Sequence, residues 1–600
     1  MAISDRLATA RRTTLATCLC AALAAGTGIH NGAVRAAGAP TRDARAHELL
    51  PFADAPKRRK AFDADRARAT ANTIPVTSCA DDGSDGTLRN AIESAGDGDT
   101  IDMTALNCSL ITLQNGALVT SLTSLTLRGP GIDALTIDAN NADRVLMGYN
   151  LDVSDLTMAH GVDLSGTGGG CVHALGDLAL SRARLASCLE VNGTTNAVGG
   201  GAFVAGNLIM HDATITDSKA SGAQYAGGGG ALVGESATLY ASSITNNTAD
   251  ASQMPALGGG LYVLGTATLH ASIVDGNTAH AVDAAAYGGG MHGAADISLV
   301  DESIVSGNTA SSDTSWSYGG GVSNGTNLQS GAATTTLWNS TVSGNVASAG
   351  CALCLVTGGG VHAFDTIVTK YSIVDHNEAL CLDANTACSA GGGGVASSGA
   401  QSSSRIFVYD STISTNIAVR GAQAGAFGVG GGVMLAPAEP FTATNTTIAF
   451  NHASDAGGGI LATTLVNAPA EMVSTIVSNN DSLAGPDDIS SGPIGNSAQI
   501  DGSANLVMHA APGTTVPVDT LTADPGLLPL TTSEGGATAV HPLPAGSVAI
   551  DAGANPNSFV CDQRGYPSRR VEGAGADIGA FETGEAHLFA DNFDGTTACQ

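Results

Sequence analysis

The stretch SIVDGNTAHAVDAAAYGGGMHG, residues 272–293, recurs along the chain in altered form. SIVSGNTA begins 31 residues later, and STVSGNVA, SIVDHNEA, STISTNIA and TTIAFNHA follow it. Each copy pairs a β-branched segment with an Asn, and most lead to a run of glycines. A fixed internal period of this kind indicates a repeat architecture, in which successive units stack on one another.

Two sequence landmarks recur together along residues 166–490. Runs of three or more glycines end 27 to 39 residues apart, at Gly170, Gly201, Gly230, Gly260, Gly290, Gly321, Gly360, Gly394, Gly432 and Gly459. The second landmark is a polar column at Ser218, Asn247, Asn277, Asn308, Asn345, Asn377, Asn416, Asn451 and Asn479. The spacing between landmarks varies, and the longer intervals predict inserted loops.

The units predict an all-β fold. Each holds short β-prone pieces separated by Gly or Asn, which tolerate turn conformations, and no piece has a helical period. One unit cannot bury its own apolar side, whereas stacked units can. We therefore expect a right-handed parallel β-helix with three strands per unit and a cap at each end. We interpret the Gly and Asn columns as structural: glycine permits sharp bends, and stacked Asn side chains can form a hydrogen-bonded ladder.

The ends of the chain differ from the middle. Residues 1–25 have a basic start and a short apolar run typical of a signal peptide, and residues 26–70 read as a flexible basic leader. Residues 71–165 are expected to hold the N-terminal cap and first coils, residues 491–583 the last coils and a terminal domain, and residues 584–600 a tail. No later stretch is apolar for about 20 residues, so no membrane-spanning helix is expected.

Charge and cysteine content restrict the environment. Residues 71–600 carry 12 Lys and Arg against 48 Asp and Glu, a net charge of −36, which disfavours nucleic acid as a partner. Ten cysteines follow the signal region, an even number suited to an oxidising, extracellular compartment. We expect local disulfides Cys79–Cys108, Cys171–Cys188 and Cys561–Cys599. Cys351, Cys354, Cys381 and Cys388 also favour disulfides over zinc, but their pairing stays open.

Two end segments resemble known bacterial sequence families. VTSCADDGSDGTLRNAIESAGDGDTIDM, residues 76–103, is similar to the CSLREA-type region of secreted β-helix proteins, with its Leu-Arg pair but not its Cys and Glu. AIDAGANPNSFVCDQRGYPSRRVEGAGADIGAFE, residues 549–582, resembles the choice-of-anchor Q domain. The Gly-rich middle resembles the pectate-lyase-like β-helix superfamily and polymorphic outer-membrane repeats. These resemblances imply a secreted or cell-surface β-helix of Gram-negative style, and they imply no activity.

One set of positions suggests a function beyond construction. Seven residues before each Asn-column position lie His211, Tyr240, His270, Asp301, Trp338, Lys370, Tyr409 and Thr444. An apolar residue often precedes them, so alternation along a strand would turn this set outward. We expect His211, Tyr240, His270, Trp338, Lys370 and Tyr409 to bind an extracellular polysaccharide or matrix. Tyr287 and Tyr318, with Trp316 nearby, form a smaller candidate.

An enzyme is the alternative. Polysaccharide lyases and hydrolases also use β-helices, and the least unfavourable catalytic residues here are Asp301, His270 and Lys370. Basic residues are scarce between residues 185 and 563, where only Lys219, Lys370, Arg405 and Arg420 occur. No cofactor is expected. Calcium at the DDGSDG turn, residues 81–86, is conceivable without a supporting motif, and a purely structural envelope role is a third hypothesis.

Overall fold

The chain forms a solenoid of parallel β-strands. The computed structural model describes residues 72–325, 333–383, 386–398, 404–435, 439–462, 470–492 and 497–584. A typical coil passes through Ala231–Val233, Ala237–Tyr240, Ser243–Thr245, Thr248–Ala251 and Ala256–Leu257. Each of these strands pairs in parallel with the equivalent strand of the next coil. The expected parallel β-helix is confirmed, and its right-handed sense stays a prediction.

Sheet 1 has 28 strands and takes two successive strands from most coils. Its N-terminal strands are Thr73–Pro75, Thr100–Asp102, Leu110–Thr112, Ser124–Arg128, Thr136–Asp138 and Asn150–Ala159. The first strands of later coils are Leu178–Ala186, Leu208–His211, Ala237–Tyr240, Ala267–His270, Ile297–Val300, Thr334–Trp338, Thr366–Lys370, Arg405–Tyr409, Phe441–Thr444, Ala470–Val473 and Ala498–Ser503. The second strands are Thr214–Thr216, Ser243–Thr245, Ile273–Asp275, Ile304–Ser306, Thr341–Ser343, Ile373–Asp375, Thr412–Ser414, Thr447–Ala449, Ile476–Ser478 and Leu506–Val507, and Thr514–Thr515 completes the sheet.

Three further sheets close the coil. Sheet 2 contains Leu118–Val119, Leu146–Gly148, Val172–Ala174, Ala202–Val204, Ala231–Val233, Leu261–Val263, Met291–Gly293, Val322–Asn324, Val361–Ala363, Val395–Ser397, Val433–Leu435, Ile460–Ala462 and Ile489–Ser490. Sheet 3 contains Val162–Asp163, Leu189–Asn192, Lys219–Gly222, Thr248–Ala251, Thr278–Ala281, Thr309–Ser312, Val346–Ala349, Glu378–Cys381, Ile417–Val419, His452–Ala453, Asp481–Ser482 and Gly485–Pro486. Sheet 4 contains Ala197–Val198, Ala226–Gly227, Ala256–Leu257, Ala286–Tyr287, Ser317–Tyr318, Leu355–Thr357, Ser389–Gly391 and Gly428–Val429.

A full coil therefore has five strands rather than the expected three. The extra strands arise because each coil bends at several residues with left-handed backbone conformation. In one coil these are Ala241, Asn246 and Gly258, with φ of 46°, 56° and 61°. The first bend splits the sheet 1 segment into two strands, and the second begins sheet 3. A single residue with positive φ turns the chain sharply, so each strand stays short.

The glycine runs form the turn from sheet 4 into sheet 2. Gly258 takes the left-handed conformation that glycine adopts without strain. A Cβ atom on Gly259 would lie 2.3 Å from the carbonyl oxygen of Gly289 in the next coil. A Cβ on Gly260 would lie 2.8 Å from Cγ of Asn277. The turn thus requires glycine for its conformation and for close approach between coils, which supports the structural interpretation of this column.

The Asn column forms a buried ladder along the solenoid. Nδ2 of Asn247 donates to Ile215 O in the preceding coil and to Oδ1 of Asn277 in the next coil, each at 3.0 Å. The backbone amide of Asn247 also donates to that Oδ1 atom, at 2.9 Å. The same pattern links Asn247, Asn277, Asn308, Asn345, Asn377, Asn416, Asn451 and Asn480. These bonds satisfy backbone groups that the core would otherwise leave unpaired.

The sequence predicts Asn479 as the last position of this column, but Asn480 occupies it. Asn479 has φ of 58° and is the left-handed bend residue, whereas the following Asn480 is fully buried in the ladder. Ser218 begins the ladder by donating its backbone amide to Asn247, and Asp488 ends it by accepting from Asn480. The bend residue therefore precedes the ladder residue in this coil, as Asn246 precedes Asn247.

A second ladder was not predicted. Ser242 donates its backbone amide to Oγ of Ser272 at 3.1 Å, and its hydroxyl donates to the carbonyl oxygen of Tyr240 at 2.8 Å. Equivalent bonds link Ser242, Ser272 and Ser303, and, after a break at the Asp301 bulge, Ser340, Ser372 and Ser411. Its sequence signal was the serine that opens the repeated SIV segment. Both ladders join coils through buried hydrogen bonds on either side of the second strand of sheet 1.

The apolar core runs inside the ladders as one continuous cluster from Val76 to Val507. A narrower cluster beside it is lined by alanines of sheets 3 and 4, such as Ala249 and Ala279. Near the N-terminal end, the helix Leu88–Ser94 buries Leu88 and Ile92, and its N-cap hydroxyl of Thr87 accepts a hydrogen bond from the Asn90 amide. Small side chains let sheets 3 and 4 approach closely.

Within the described residues, four disulfides link neighbouring segments: Cys79–Cys108, Cys171–Cys188, Cys351–Cys354 and Cys381–Cys388. The four cysteines of the 351–388 group thus form two short-range pairs and do not cross-pair. Cys599, the predicted partner of Cys561, lies outside the described residues. The proposed signal peptide, residues 1–25, and the basic leader, residues 26–70, lie there too.

Residues 521–584, which we name the C-terminal cover, fold back over the outer face of sheet 1. Their apolar residues pack with Ile476 and Leu506 of the last coils, through Val540, Leu543, Ala549, Ile578 and Phe581. Farther back, Thr538 donates to Tyr371 O at 3.3 Å, and Gln563 accepts from Thr412 at 2.6 Å. The segment therefore reaches from the coil of Leu506 to the coil of Tyr371. The division of residues 491–583 into last coils and a terminal domain stays a prediction.

Candidate functional site

The candidate column lies on the outer face of sheet 1, as alternation predicted. His211 pairs with Tyr240, and Tyr240 pairs with His270, in successive first strands. The preceding residues Met210, Leu239 and Leu269 are fully buried in the core. His211, Tyr240 and His270 are half-buried. This part of the column is thus a continuous outward row.

The three rings stack directly on one another. The centroids of His211 and Tyr240 lie 4.6 Å apart with planes 3° from parallel, and those of Tyr240 and His270 lie 4.8 Å apart at 10°. Neighbouring rings therefore occupy the inner faces of the stack. A ligand above the sheet meets the ring edges, which carry the imidazole nitrogens and the Tyr240 hydroxyl. The row is suited to hydrogen bonding at a regular spacing more than to stacking against sugar rings.

Asp301 lies beside the column and not in it. The first strand of its coil places Val300 opposite His270, and Val300 is buried. One extra residue follows, so Asp301 and Glu302 both take positive φ, at 54° and 68°. From this bulge Asp301 accepts a 2.8 Å contact from Nδ1 of His270. The predicted column is corrected at this position, but Asp301 still contributes to the same surface.

Trp338 and Lys370 mark the edge of the open face. They pair in register, and the Lys370 ammonium lies 4.4 Å from the Trp338 ring centroid. It also lies 4.9 Å from the ring of Tyr371 and 4.6 Å from that of Phe559, which belongs to the C-terminal cover. Burial lowers the pKa of Lys370, and the charge of Asp410 opposes part of that shift. Lys370 is only 5% exposed, so it is not placed to contact a polymer in solution.

Tyr409 and Thr444 lie under the C-terminal cover. The Tyr409 ring lies 6.2 Å from Phe559, and Thr444 is 3% exposed. Burial raises the pKa of the Tyr409 hydroxyl, with a further contribution from Glu471. Both residues belong to the predicted column by register, but Thr444 is buried, whereas Tyr409 is half-buried with Phe559 of the cover beside its ring. The described part of the open column therefore runs from His211 to Trp338.

The open face is acidic and rich in hydroxyl groups. Asp212, Asp217, Asp275, Asp301 and Glu302 lie on its bends and strand ends. Between residues 208 and 344 the sequence has one basic residue, Lys219, which pairs with Asp250 at 2.8 Å on sheet 3. Hydroxyl pairs also link neighbouring coils, with Thr214 and Ser243 at 3.0 Å and Thr245 and Thr216 at 3.1 Å. This charge disfavours polyanionic ligands and leaves neutral polyhydroxylated ones favoured.

The smaller aromatic candidate is a buried cluster. Tyr287 and Tyr318 stack at 5.0 Å, and Tyr318 packs 4.8 Å from His362 in the corner between sheets 2 and 4. Burial raises the pKa of Tyr287 to about 12 and lowers that of His292, which is 1% exposed, to about 4. Trp316 makes an edge contact with Tyr318 at 6.3 Å. The cluster fills a concave corner, so it is interpreted as packing.

The acidic N-terminal turn is held by internal partners. Asp81 forms a bidentate pair with Arg89, at 2.8 and 2.9 Å, and Asp82 accepts from Ser84. The described residues hold no group of three His, Cys, Asp or Glu side chains arranged for a metal ion. Within those residues no helix is long and apolar enough to cross a membrane.

Comparisons with known proteins give a likeness of fold. No protein-family model matches the chain, and no curated protein matches it. Among solved structures, the crystal structure of pectate lyase Pel9A is similar, with 11% sequence identity and a TM-score of 0.29. The match covers 86% of this chain and 98% of that one. At this identity and TM-score, the likeness carries no argument about activity.

Proposed function

We propose that the protein is an extracellular, non-catalytic β-helix that binds polysaccharide along the open outer face of sheet 1. The observation that carries this proposal is the stacked row of His211, Tyr240 and His270, with ring centroids 4.6 and 4.8 Å apart. The row repeats once per coil, as the residues of an extended polymer repeat along its chain. Its rings are fixed by their neighbours, so little side-chain freedom is lost on binding.

The chemistry of the surface favours a neutral polymer. Ring edges and the hydroxyl pairs of Thr214 with Ser243 provide hydrogen-bond donors and acceptors. Asp301 is half-exposed and pairs with His270, which holds that imidazole in a fixed orientation. Trp338 stands at the far end of the face with part of its ring exposed. A uronate polymer would meet the acidic side chains of this face and be repelled.

An extracellular location fits the four disulfides, because such bonds persist in oxidising compartments. The sequence of residues 1–25 supports export by a signal peptide. The resemblance of residues 549–582 to a choice-of-anchor Q domain supports display at a bacterial surface. Attachment and secretion are parts of the proposal and are tested by fractionating cells that express the full chain.

Affinity electrophoresis tests the binding proposal. Gels containing hydroxyethyl cellulose, a neutral polymer, should retard the protein, and gels containing polygalacturonate should not. Tyr240→Ala removes the central ring of the row and should reduce the retardation at least tenfold, as loss of a central contact does. Met254→Ala is the matched control, because Met254 is 47% exposed in the same coil but lies in the turn between sheets 3 and 4. Equal retardation of the two variants would refute the proposed face.

A lyase or hydrolase on the same face is the second candidate, and one contact favours it. The 2.8 Å contact between Asp301 and Nδ1 of His270 orients an imidazole as a base is oriented in many hydrolases. Lys370, the third predicted catalytic residue, is buried among rings and lies away from this pair. Product formation on neutral or acidic polysaccharides, measured as unsaturated uronate absorbance or new reducing ends, would establish an enzyme. Loss of that product in His270→Gln would assign it to this pair.

A further inference from the structure

The C-terminal cover lies on the continuation of the candidate face. The open column ends at Trp338, and the next two positions in register, Lys370 and Tyr409, lie against Phe559 of the cover. The strands below the cover keep the parallel register of the open part. Removing the cover would therefore lengthen the same outward sheet by several coils. The cover is placed to control how much of the face a polymer can reach.

Besides the ring contacts of Phe559, polar contacts join the cover to the sheet away from Leu506. His541 contacts Ser414 at 2.8 Å, and Asn445 donates to the carbonyl oxygen of Ala554 at 2.7 Å. Several buried polar atoms in this interface lack a hydrogen-bond partner among the described residues: Tyr371 Oη, Asp410 Oδ2, Asn445 Oδ1 and Arg570 Nε. Buried polar groups without partners weaken an interface.

A buried ionic cluster joins the cover to the sheet. Arg570 is fully buried, and it lies 3.3 Å from Asp410 of the sheet and 3.1 Å from Glu582 of the cover. It also donates to the carbonyl oxygens of Asp577 and Gly579, at 2.7 and 2.8 Å. Arg564 pairs with Asp562 at 2.6 Å in the same region. All these side chains except Arg564 are 1% exposed or less.

Carboxyl groups outnumber cations in this cluster. The carboxyl groups of this cluster are Asp410, Asp562, Asp577 and Glu582, and its cations are Arg564, Arg570 and Lys370, so full ionisation would leave one negative charge buried without compensation. Uncompensated buried charge is costly, so the closed cover favours retention of a proton. Burial raises the pKa of Glu582 to about 7 and raises that of Asp410 well above its usual range, with Arg570 opposing both shifts.

Further charged groups of sheet 1 and of the C-terminal cover surround this cluster. From the sheet, Lys370 faces Asp410, and Asp375 lies near His541 of the cover. From the cover, the Glu572 amide donates to Glu582, and the Asp551 amide donates to Asp577, each at 2.8 Å. Burial lowers the pKa of His541, whose Nδ1 donates to Leu528 O at 2.8 Å and whose Nε2 lies 2.8 Å from the Ser414 hydroxyl. None of these groups supplies a further cation next to Glu582.

We propose that the C-terminal cover is a releasable lid on the polysaccharide face, held closed by a proton retained in this buried carboxyl cluster and opened as pH rises. The claim that the lid regulates polysaccharide binding rests on the proposed function, whereas the claim that the lid opens does not. A carboxyl group that holds its proton when closed and loses it when open stabilises closure at low pH. That stabilisation is present below about pH 4.5 and is lost as pH rises through about 7.

Hydrogen exchange measured by mass spectrometry tests the opening. After correction for intrinsic exchange rates, a peptide spanning residues 578–583 of the cover, whose Gly579 and Ala580 amides donate to Ser474 O and Thr447 Oγ1 of the sheet, should exchange about tenfold faster at pH 8 than at pH 6, as linkage to one proton predicts. A peptide spanning residues 208–216 on the open face should not change. Glu582→Gln should remove most of the difference, and Glu534→Gln, an exposed position on the cover, should retain it.

Several results would overturn this proposal. Equal pH dependence in Glu582→Gln and Glu534→Gln would exclude the carboxyl cluster as the cause. Parallel changes in both peptides would indicate unfolding of the whole solenoid. If Glu582→Gln fails to fold, Asp410→Asn removes the partner carboxyl from the sheet side and should reduce the pH dependence in the same way.

A binding measurement separates the lid from the proposed function. Retardation by hydroxyethyl cellulose should increase from pH 6 to pH 8 in the wild-type protein and stay constant in Glu582→Gln. Opening without any change in retardation would refute regulation and leave the binding face intact. Absence of retardation at either pH would refute the proposed function and with it the regulatory claim, while the exchange data would still decide whether the cover opens.

Discussion

Glu190 shows how one side chain can depart from the repeat. It lies in register with Ala220 on one side and Asp163 on the other, where later coils have alanine or serine. Its side chain is fully buried, and neither carboxylate oxygen makes a hydrogen bond of normal geometry with the described residues. Burial raises the pKa of Glu190 to about 8, with a further contribution from the charge of Asp163. We therefore expect Glu190 to be protonated in the folded protein at neutral pH.

Glu190 should make stability fall with rising pH. The folded state holds this proton up to about pH 8, whereas the unfolded chain releases it near pH 4.5. Its contribution is complete below about pH 4.5 and is lost as pH rises to about 8, by on the order of a few kcal/mol. Glu190→Gln should reduce this slope when the free energy of unfolding is measured by urea titration between pH 5 and 9. An unchanged slope would show that Glu190 is ionised in the folded state.

At two single positions, the sequence could not resolve which residue enters a ladder or column. SNN at residues 478–480 offers two adjacent asparagines, and only bend geometry decides that Asn480 enters the ladder. The DES segment at residues 301–303 contains one residue more than the equivalent AS segment at residues 271–272, which removes Asp301 from the column. Counting backward from the ladder assumes equal spacing in every coil. Such counting fails wherever a bulge lies between the two columns.

At the scale of an element, the ladders explain why the short strands hold together. Asn308 accepts from the backbone amide and side chain of Asn277 and donates to Val274 O and to Asn345. Asn308→Ala would leave several buried groups without partners. It should cost about 2–4 kcal/mol in the free energy of unfolding, since each unpaired buried group costs about 1–3 kcal/mol.

Chemical denaturation followed by circular dichroism measures that cost. Ser311→Ala is the matched control, because Ser311 faces outward on the adjoining strand Thr309–Ser312. A change of about 0.5 kcal/mol or less is expected for this surface substitution. Similar losses in both variants would mean that the ladder contributes no more than an ordinary polar position.

Some structural elements of this fold were predictable from the sequence, and others were not. The Gly and Asn columns were predictable because every coil needs the same bend and the same ladder, so the signal recurs many times. The Ser ladder also recurs, at six positions, but a serine at the start of a β-branched segment is indistinguishable from an ordinary strand boundary. The C-terminal cover has no period. Phe559 contacts Lys370 across 189 residues, and no local pattern predicts where such a segment will lie.

At the scale of the whole molecule, the cover changes the meaning of the predicted column. The sequence placed eight residues on one outward line, and the fold keeps seven of them there, with Asp301 displaced by a bulge. His211, Tyr240, His270 and Trp338 are partly exposed, Tyr409 is partly exposed beside Phe559 of the cover, and Lys370 and Thr444 are buried. The sequence period therefore predicted correctly which way these side chains point. The C-terminal cover, which has no period, determines which of them are exposed. The candidate site is shorter than expected for that reason.

The net charge of −36 over residues 71–600 gives a prediction for the whole molecule. Twelve basic residues cannot neutralise 48 acidic ones, and a compact solenoid brings the excess charges together. Self-repulsion of this kind destabilises the folded state and is screened by salt over about 10 Å at 0.1 M. The melting temperature of residues 72–600 should therefore rise by several degrees between 10 mM and 300 mM sodium chloride at pH 7. Potassium chloride should give the same rise, since screening depends on ionic strength. A fall in melting temperature would show that the surface ion pairs, such as Arg182 with Asp155, contribute more to stability than the repulsion costs.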